Sequence, residues 1–371
     1  MGISTGKRRK LTIKPLSSLF LRGMNFNNEL VHWYLKNKRD LPWRNTTDAY
    51  VIWLSEIILQ QTRVEQGLPY FNRFIKKYPD VGDFAAANED EILKLWQGLG
   101  YYSRGRNMLK TARMVNELYG GKFPESYEEL LKLKGIGEYT AAAIASFSAN
   151  EAKAVVDGNV YRVIARYFGI DEPINSTKGK KLFQLTADEL LDKQQPGLHN
   201  QAMMEFGATL CKPKNPDCSI CPVRTGCYAY ANNAVSILPV KLNKLKIRER
   251  YLNYFLVTDG DTILMNKRNE KDIWANMYDL PLIETPALLN IDEVVSKPEF
   301  REFFGDSIKI DEITAVKKHV LTHQRLYVRL IKLKGLPSKI KDEWFFTPVG
   351  EMKKLAIPRI VFLFLEGIFD L

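Results

Sequence analysis

Residues 133–137, Leu-Lys-Gly-Ile-Gly, decide the fold because this short glycine turn separates two helical patterns. Apolar residues recur at helical spacing over residues 127–133 on one side and 139–147 on the other. Glycine lets the backbone turn sharply, and it lets a phosphate approach the backbone N–H groups and the N-terminus of the following helix. The segment therefore predicts a helix–hairpin–helix, which grips a DNA backbone without reading its sequence. An ordinary turn between helices fits these five residues equally well.

The helical pattern extends outward from this turn over residues 26–234, which predicts a helical domain. One strong helix is predicted over residues 51–66, with Gly67 placed to end it. Residues 235–249 are basic and poor in apolar residues, which is typical of a linker. Short alternating runs follow this linker and the chain ends in a helical pattern, so residues 250–371 predict an α+β domain.

The chain is basic, with 54 Lys and Arg against 43 Asp and Glu and a formal net charge of +11. This surplus favours a polyanionic partner, nucleic acid first and an anionic membrane second, although a basic protein without such a partner remains an alternative. Residues 1–25 predict a basic N-terminal arm that lacks the apolar core of a signal peptide. No apolar run is long enough to cross a bilayer, so the sequence predicts a soluble cytoplasmic protein without a targeting signal.

All four cysteines, Cys211, Cys218, Cys221 and Cys227, lie in one short window with the spacing C-x6-C-x2-C-x5-C. Buried cysteines that only fill a core have no reason to cluster, and disulfides are rare in cytosolic proteins. The window therefore predicts a metal site, either Zn²⁺ or a four-iron cluster, because both accept four thiolates. Spacing alone does not choose between them, although the wide outer intervals suit a cluster. Four closed ligands indicate a structural role.

Glu56 stands in a segment that is apolar on nearly every side, which predicts a buried helix around it. A carboxyl in such surroundings has a raised pKa and stays protonated near neutral pH, which a general acid requires. The alternative is a glutamate at a helix edge that faces water or pairs with a lysine.

Asp157 lies in an Asp-Gly-Asn segment after an apolar run, which is first of all a turn or helix-cap signal. A carboxylate there accepts more hydrogen bonds than Glu56 and is expected to stay ionised. Two carboxyls whose pKa values are pushed apart are what cleavage of a glycosidic bond uses. One protonates the leaving group, and the other stabilises the cationic sugar carbon.

Taken together, these residues resemble the MutY family of adenine DNA glycosylases, in the helix–hairpin–helix superfamily that includes endonuclease III. The resemblance covers about residues 33–233 and continues more weakly to the C-terminus. It is carried by residues 41–44, 53–64, 95–107, 135–141, 156–160 and 200–208 and by the cysteine window. The family implies a multidomain fold: an all-α helix–hairpin–helix glycosylase core with a [4Fe–4S] cluster subdomain at residues 211–227, followed by a C-terminal α+β Nudix-like domain.

The resemblance also implies the catalytic roles. Glu56 would protonate N7 of a flipped adenine, and Asp157 would stabilise the oxocarbenium-like sugar. Asn159 would orient groups beside Asp157, and Tyr139 would pack against the catalytic carboxylate and hydrogen-bond it. Bifunctional relatives place at the Tyr139 position a lysine that forms a Schiff base and cuts the strand, which a phenol does not do. A monofunctional glycosylase that leaves an abasic site is therefore expected.

The same family pattern implies which residues hold the DNA. The pocket for adenine would be lined by Trp43, Arg44 and Gln201. The wedges into the duplex would be Gln61 and Tyr101, and further DNA contacts would come from Thr62, Leu99, Gly135 and Gly137. Core packing is the alternative for the aromatic residues, a solvated helix position for Gln61 and a cap for Gln201. The implied partner is duplex DNA with A:8-oxoguanine or A:G mispairs, bound by a monomer in the nucleoid.

The C-terminal part resembles the Nudix-like domain with which the family senses 8-oxoguanine opposite the adenine. It lacks the glutamate-rich Nudix box, so no pyrophosphatase activity is expected. The family reads the lesion with an aromatic–Ser–His triplet, and the matching residues here are Leu321, Thr322 and His323. Thr322 and His323 keep the hydrogen-bonding groups, whereas Leu321 loses a flat packing surface. For His323 the alternative is a strand-end histidine without a ligand.

Three other functions compete with this interpretation. The nearest keeps the fold but acts on oxidised pyrimidines and cuts the strand. Another is a non-catalytic DNA-binding protein that uses its cluster as a sensor. The third, a Nudix hydrolase of free nucleotides, is disfavoured by the missing box.

Overall fold

The computed structural model describes residues 16–242, 247–269, 272–337 and 339–369. Residues 1–15 of the predicted basic arm lie outside the described residues. Residues 16–25 of that arm belong to the first helix, which begins at Leu16. The described residues form two compact units, each built from two stretches of chain. The first unit contains residues up to Glu56 and Phe123–Leu242, and the second contains Ile57–Lys122 and the residues beyond Asn243.

The described residues contain the following α-helices: α1 (Leu16–Asn37), α2 (Ala49–Leu59), α3 (Val64–Lys77), α4 (Val81–Ala86), α5 (Glu89–Trp96), α6 (Ser103–Tyr119), α7 (Tyr127–Leu130), α8 (Glu138–Ser148), α9 (Gly158–Phe168), α10 (Thr177–Leu190), α11 (Pro196–Thr209), α12 (Tyr228–Ala231), α13 (Ile291–Val295), α14 (Pro298–Phe304) and α15 (Arg359–Phe369). Short 3₁₀ helices are found at Pro42–Arg44, Arg224–Gly226 and Val349–Lys354.

The single helix predicted over residues 51–66 is wrong, because the structure divides it into α2 and α3. Gln61 has a left-handed φ of 55°, which ends the helical path after Leu59. Gly67 does not end a helix either. It is buried inside α3, where an added Cβ would lie 2.6 Å from the Leu59 side chain, so this glycine serves the close approach of α3 to the end of α2.

The predicted catalytic residues of the first unit lie on α2, on α8 and at the start of α9, and α11 packs against both α8 and α9. Residues 140–146 of α8 are small apart from Ile144, and all are buried, so neighbouring helices can approach closely. Gly207 of α11 faces the start of α9, where an added Cβ would lie 2.6 Å from the Cβ of Asn159. Because Gly207 has no side chain, the N-terminal turn of α9 can pack closely against α11.

The C-terminal strands of the second unit build two antiparallel or mixed sheets among the described residues. The first sheet has the order β5-β1-β8-β6, with β7 also paired to β8, and β1 and β8 run parallel. The second has the order β2-β3-β4, with β9 paired to β3. The strands are β1 (Arg248–Leu256), β2 (Thr258–Asp259), β3 (Thr262–Lys267), β4 (Tyr278–Asp279), β5 (Leu282–Thr285), β6 (Lys309–Ile313), β7 (Lys317–Val320), β8 (Gln324–Lys334) and β9 (Trp344–Pro348).

A core of aromatic side chains joins these sheets to α13 and α14. Phe255 of β1 packs against Phe300 and Phe304 of α14, with ring centroids 5.5 Å and 4.9 Å away. The predicted α+β character of the C-terminal residues is confirmed. In the described part of the chain, no helix combines the length and the apolar character that a membrane crossing needs.

Residues 57–122 pack with the C-terminal strands and helices inside the second unit. Lys94 of α5 donates to the carbonyl of Leu355 at 3.0 Å, and Gln97 donates to the carbonyl of Ile357 at 2.6 Å. Such pairings between residues about 260 positions apart leave no periodic signal in the sequence.

Candidate active site

Glu56 lies in α2 and is only 7% exposed, as its apolar surroundings predict. The hydroxyl of Tyr139, from α8, donates a hydrogen bond to Glu56 Oε2 at 2.8 Å. Burial raises the pKa of Glu56 from 4.5 to about 7, although the Tyr139 hydrogen bond opposes the rise. The negative charge of Asp157 raises this pKa further, and the charge of Arg44 lowers it. A large share of Glu56 is therefore protonated at neutral pH, as a general acid must be.

Asp157 caps the N-terminus of α9, as its Asp-Gly-Asn context predicts. Its Oδ1 accepts from the backbone N–H groups of Asn159 and Val160, both at 2.8 Å, and its Oδ2 accepts from the Asn159 amide at 2.7 Å. The pKa of Asp157 is raised from its ordinary value, because burial outweighs these three hydrogen bonds and the charge of Arg162, which all favour the anion. Glu56, by contrast, accepts one side-chain hydrogen bond within the described residues, and its pKa is set mainly by burial.

Tyr139 connects the two carboxyls electrostatically. Its hydroxyl is bound to Glu56, and the negative charges of both Glu56 and Asp157 raise its pKa well above the ordinary value, after burial itself. The three side chains, predicted separately from three segments, are therefore close enough to act on one another. Because Oε2 accepts the Tyr139 hydrogen bond, Oε1 is the oxygen left available to carry and give up a proton.

Arg162 organises the surroundings of Asp157 and was missed by sequence reasoning. Its guanidinium donates to Asn159 Oδ1 at 2.8 Å, to the carbonyl of Gly207 at 2.6 Å and to the carbonyl of Cys211 at 2.7 Å. The first contact fixes which way the Asn159 amide points, so that its NH₂ faces Asp157. A buried arginine one turn after a capping carboxylate is the signal that would have identified it.

The residues predicted to line the adenine pocket lie on the Pro42–Arg44 turn and on α11. Trp43 is buried, at 8% exposure, and Arg44 follows it directly. The hydroxyl of Tyr34 donates to Gln201 Oε1 at 2.7 Å, and the Arg44 guanidinium lies 5.7 Å from the centre of the Tyr34 ring. Gln201 is thus held by a side chain of α1 rather than acting as a helix cap.

Glu205 is a second functional candidate that the sequence did not single out. It is fully buried on α11, one turn after Gln201, and accepts from Arg39 at 2.8 Å and from Arg44 at 2.6 Å. Burial alone would raise its pKa, but the hydrogen bonds of both arginines lower it to about 2. Glu205 therefore remains an anion and fixes the Arg44 side chain. No local sequence pattern marks Glu205, because Arg39 and Arg44 lie about 160 positions away along the chain.

Gln61 and Tyr101 both occupy turns in the second unit and both have a left-handed backbone, with φ of 55° and 49°. Gln61 is exposed outside any helix, and Tyr101 is 40% exposed, so neither the solvated-helix nor the core alternative describes them. Leu99, close to Tyr101, is buried at 7% exposure, and Thr62 is half-buried. The positions of Gln61 and Tyr101 suit side chains that project from turns, whereas Leu99 is part of the core.

The Leu321-Thr322-His323 triplet precedes β8, and Thr322 and His323 are exposed. The hydroxyl of Tyr101 donates a hydrogen bond to Thr322 Oγ1. The backbone carbonyl of His323 accepts from the N–H of Arg248 at 3.1 Å, which anchors the turn to β1. A predicted wedge residue and a predicted lesion-reading residue thus touch within the second unit.

The glycine turn has the geometry expected of a hairpin between helices. Gly135 has a φ of 80°, a region that favours glycine, and Gly137 is the N-cap of α8. Both glycines are exposed to solvent. The hairpin leads directly into α8, the helix that supplies Tyr139.

The side chains of Cys211, Cys218, Cys221 and Cys227 line one cavity in the first unit. Arg166 closes one side of it, with its guanidinium donating to Cys211 Sγ at 3.3 Å. Elsewhere the lining is largely apolar, including Val163, Phe206 and Leu210. Among the described residues, no group of three or more His, Cys, Asp or Glu side chains is placed so that it could hold a metal ion. The donor set, four soft thiols next to a cation, fits an iron–sulfur cluster in its chemistry.

Comparison with known proteins identifies the family. The HhH-GPD superfamily of base excision DNA repair proteins matches residues 54–188, and the NUDIX domain matches residues 253–367. The adenine DNA glycosylase of Buchnera aphidicola subsp. Baizongia pistaciae is 35% identical over 329 residues, covering 86% of this chain and 90% of that protein. This chain belongs to the adenine DNA glycosylase family. The Mus musculus adenine DNA glycosylase is 45% identical over 215 residues, covering 55% of this chain and 42% of its own.

Solved structures agree with the helical fold of this adenine DNA glycosylase. A thermostable thymine-DNA glycosylase superposes with a TM-score of 0.53 at 31% identity, covering 57% of this chain and 97% of that one. A trapped endonuclease III–DNA covalent intermediate superposes with a TM-score of 0.51 at 21% identity, covering 58% and 98%, and shows the fold alone. The predicted family, the multidomain fold class and the enzyme class are confirmed.

Proposed function

We propose that this adenine DNA glycosylase hydrolyses the N-glycosidic bond of adenine mispaired with 8-oxoguanine or guanine in duplex DNA, after flipping the adenine out of the stack. The observation that carries the proposal is the pair of carboxyls beside Tyr139. Glu56 is buried and has a pKa raised to about 7, whereas Asp157 accepts three hydrogen bonds that favour its anion. Two carboxyls in such different environments are what an acid-assisted glycosidic cleavage needs.

The chemistry follows from the positions of the protons. Glu56 gives the proton on Oε1 to N7 of the adenine, so that the C1′–N9 bond breaks with its electron pair moving to the leaving base. The sugar becomes a cation, which the negative charge of Asp157 stabilises at short range. Water then adds to C1′ and gives one proton to a carboxylate of the pair. Asn159, itself held by Arg162, donates to the Asp157 side chain and keeps it in place.

Tyr139 supports a monofunctional reaction. A phenol cannot form the Schiff base through which an amine at this position would cut the DNA strand. The Tyr139 hydroxyl instead donates a hydrogen bond to Glu56, and no nucleophilic amine is present at this position. The product is therefore an abasic site in an intact strand. This separates the proposal from the competing function, a strand-cutting glycosylase of oxidised pyrimidines.

Recognition of the opposite base is assigned to the second unit. The exposed Thr322 and His323 offer hydroxyl and imidazole groups to 8-oxoguanine, and the contact of Thr322 with Tyr101 orients the hydroxyl. Leu321 supplies less packing surface than an aromatic ring, so discrimination rests on hydrogen bonding. The proposal further takes the enzyme to be a monomer that acts on the chromosome in the cytoplasm, with its +11 charge favouring DNA.

The proposal is tested by base release from duplexes that differ only in the base opposite adenine. We expect fast release with 8-oxoguanine, slower release with guanine, and release from A:T slower by at least about 100-fold, since flipping a paired base costs more than flipping a mispaired one. The strand should stay intact until alkali is added. A duplex with an oxidised pyrimidine serves as the control. Release of that pyrimidine with strand breaks before alkali would instead establish the competing function.

We also propose that the four cysteines hold a [4Fe–4S] cluster, which supplies structural cross-linking of residues 211–227 and no chemical step. Replacing Cys218 with serine should lower the iron content and the visible absorbance of the purified protein severalfold, because one thiolate ligand is lost. Ser219→Ala, at the exposed neighbouring position, is the matched control and should keep both. Stoichiometric zinc without iron in the wild-type protein would favour the alternative metal.

A further inference from the structure

Arg104, in the first turn of α6, donates to backbone carbonyls on two separate turns of the second unit. Its guanidinium reaches the carbonyl oxygens of Ile57, Ile58 and Gln60 at 2.9, 3.3 and 2.6 Å, where α2 ends. It also reaches those of Leu99 and Gly100 at 3.4 and 3.2 Å. These carbonyls directly precede the two exposed residues assigned as wedges. One side chain therefore ties both wedge turns together.

Both wedge residues have backbone conformations that their side chains disfavour. Gln61 has a φ of 55° and Tyr101 a φ of 49°, the left-handed region that glycine tolerates best. Such conformations persist only where the surroundings determine them, and they are frequent at functional sites. The last carbonyls of a helix lack partners within it, so the guanidinium satisfies the end of α2 and holds the chain where Gln61 turns away.

The Arg104 guanidinium also lies beside two aromatic rings. Among the described residues, no carboxylate lies within hydrogen-bond distance of it. Its guanidinium carbon lies 5.0 Å from the Trp96 ring centre and 5.8 Å from that of Tyr101. The five carbonyls that accept its hydrogen bonds are all neutral, and its Nε has no partner in the described part of the chain. Holding a partly buried cation without a carboxylate is unfavourable for folding, which indicates a use other than stability.

We propose that Arg104 is a positioning residue for base extrusion: by binding both turns, it presents Gln61 and Tyr101 to the duplex as one rigid wedge. This inference rests on the proposed function. A planar guanidinium spans carbonyls on two chain segments at once, whereas the compact ammonium of a lysine does not. The role is separate from bond cleavage, which residues of the first unit perform. Loss of Arg104 should therefore impair the flipping of a paired adenine far more than the release of one already unpaired.

The test uses the full-length Arg104→Lys variant and two duplexes under single-turnover conditions. Base release from A:8-oxoguanine should slow by about 100-fold, because a displacement of about 1 Å is enough for such a loss. Release of adenine placed opposite an abasic site should slow by less than about 3-fold, since that base is not paired. In a Glu56→Gln background, 2-aminopurine at the target position should lose most of the fluorescence rise that reports extrusion.

Arg113→Lys is the matched control, because Arg113 lies on the same helix and also donates to two backbone carbonyls, those of Ala85 and Ala87. It should leave both rates within about 2-fold of the wild type. Equal slowing of Arg104→Lys on both duplexes, or no slowing, would overturn the inference. So would unfolding of both Arg104→Lys and Arg104→Met, because the guanidinium would then serve the fold. If the wild-type protein releases adenine from neither duplex, the proposed function itself fails.

Discussion

Replacing Glu56 with glutamine should slow base release from A:8-oxoguanine by about 10³-fold, within the range that general acid catalysis contributes. Glutamine keeps the size of the side chain, and its amide oxygen still accepts the Tyr139 hydrogen bond, but it has no acidic proton for the adenine. Binding of the duplex should change little, since phosphate contacts dominate the affinity. Single-turnover rates and titration of the same labelled duplex measure the two quantities.

The pH dependence of the wild-type rate provides an independent check on the same group. Glu56 must be protonated to act, and its pKa is about 7, so the rate should fall about tenfold per pH unit above that value. Below it, the rate should level off until Asp157 begins to take up a proton. Glu56→Gln should lose the alkaline decline. A wild-type profile that is flat across neutral pH would contradict the assignment of Glu56 as the acid.

Glu91→Gln is the matched control, because Glu91 also accepts from a tyrosine, Tyr78, but on the exposed surface of α5. Its rate should stay within about 2-fold of the wild type.

The pH dependence of the free energy of unfolding gives a further test of the Glu56 pKa. The folded protein holds the Glu56 proton up to about pH 7, whereas an unfolded glutamate releases it near 4.5, so wild-type stability should fall between these values and then level off. Glu56→Gln should lack this fall.

Local patterns in the sequence predicted the residues that carry the proposed chemistry. The apolar segment around Glu56 predicted a buried carboxyl, and the Asp-Gly-Asn signal predicted that Asp157 caps a helix. Both depend on neighbours within a few positions, which periodicity and cap rules describe well. The hairpin at Gly135 and the clustering of the cysteines are local in the same sense.

What the sequence did not reveal depends on contacts between distant residues. α2 ends at Leu59, short of the predicted end at residue 66, and Arg104, more than forty positions away, binds the carbonyls at this end. Glu205 stays ionised because Arg39 and Arg44 reach it across about 160 positions. Neither pairing follows from spacing along the chain. In each case an arginine acts on a partner that is unremarkable by itself, so single-sequence patterns do not show it.

Replacing Asp157 with asparagine should slow base release by about 10³-fold, at the upper end of what one electrostatic stabiliser contributes, because the sugar cation loses its nearest negative charge. The cap of α9 should survive, since an asparagine oxygen still accepts from the N–H groups of Asn159 and Val160 and asparagine is an equally good N-cap. The new asparagine NH₂ does not accept from the Asn159 NH₂, so one hydrogen bond is lost and thermal unfolding should occur at a moderately lower temperature. The main defect should appear in single-turnover rates rather than in duplex binding.

The variant should also change the pH profile in a direction that a merely structural defect would not. The negative charge of Asp157 helps to raise the pKa of Glu56, so removing it should lower that pKa. The alkaline decline of the residual rate should then begin at lower pH than in the wild type. Asp80→Asn, which alters the exposed N-cap of α4 in the same way, should leave both rate and profile unchanged. A slow Asp157→Asn enzyme with an unshifted decline would show that the two carboxyls do not act on each other, and the joint mechanism would have to be abandoned.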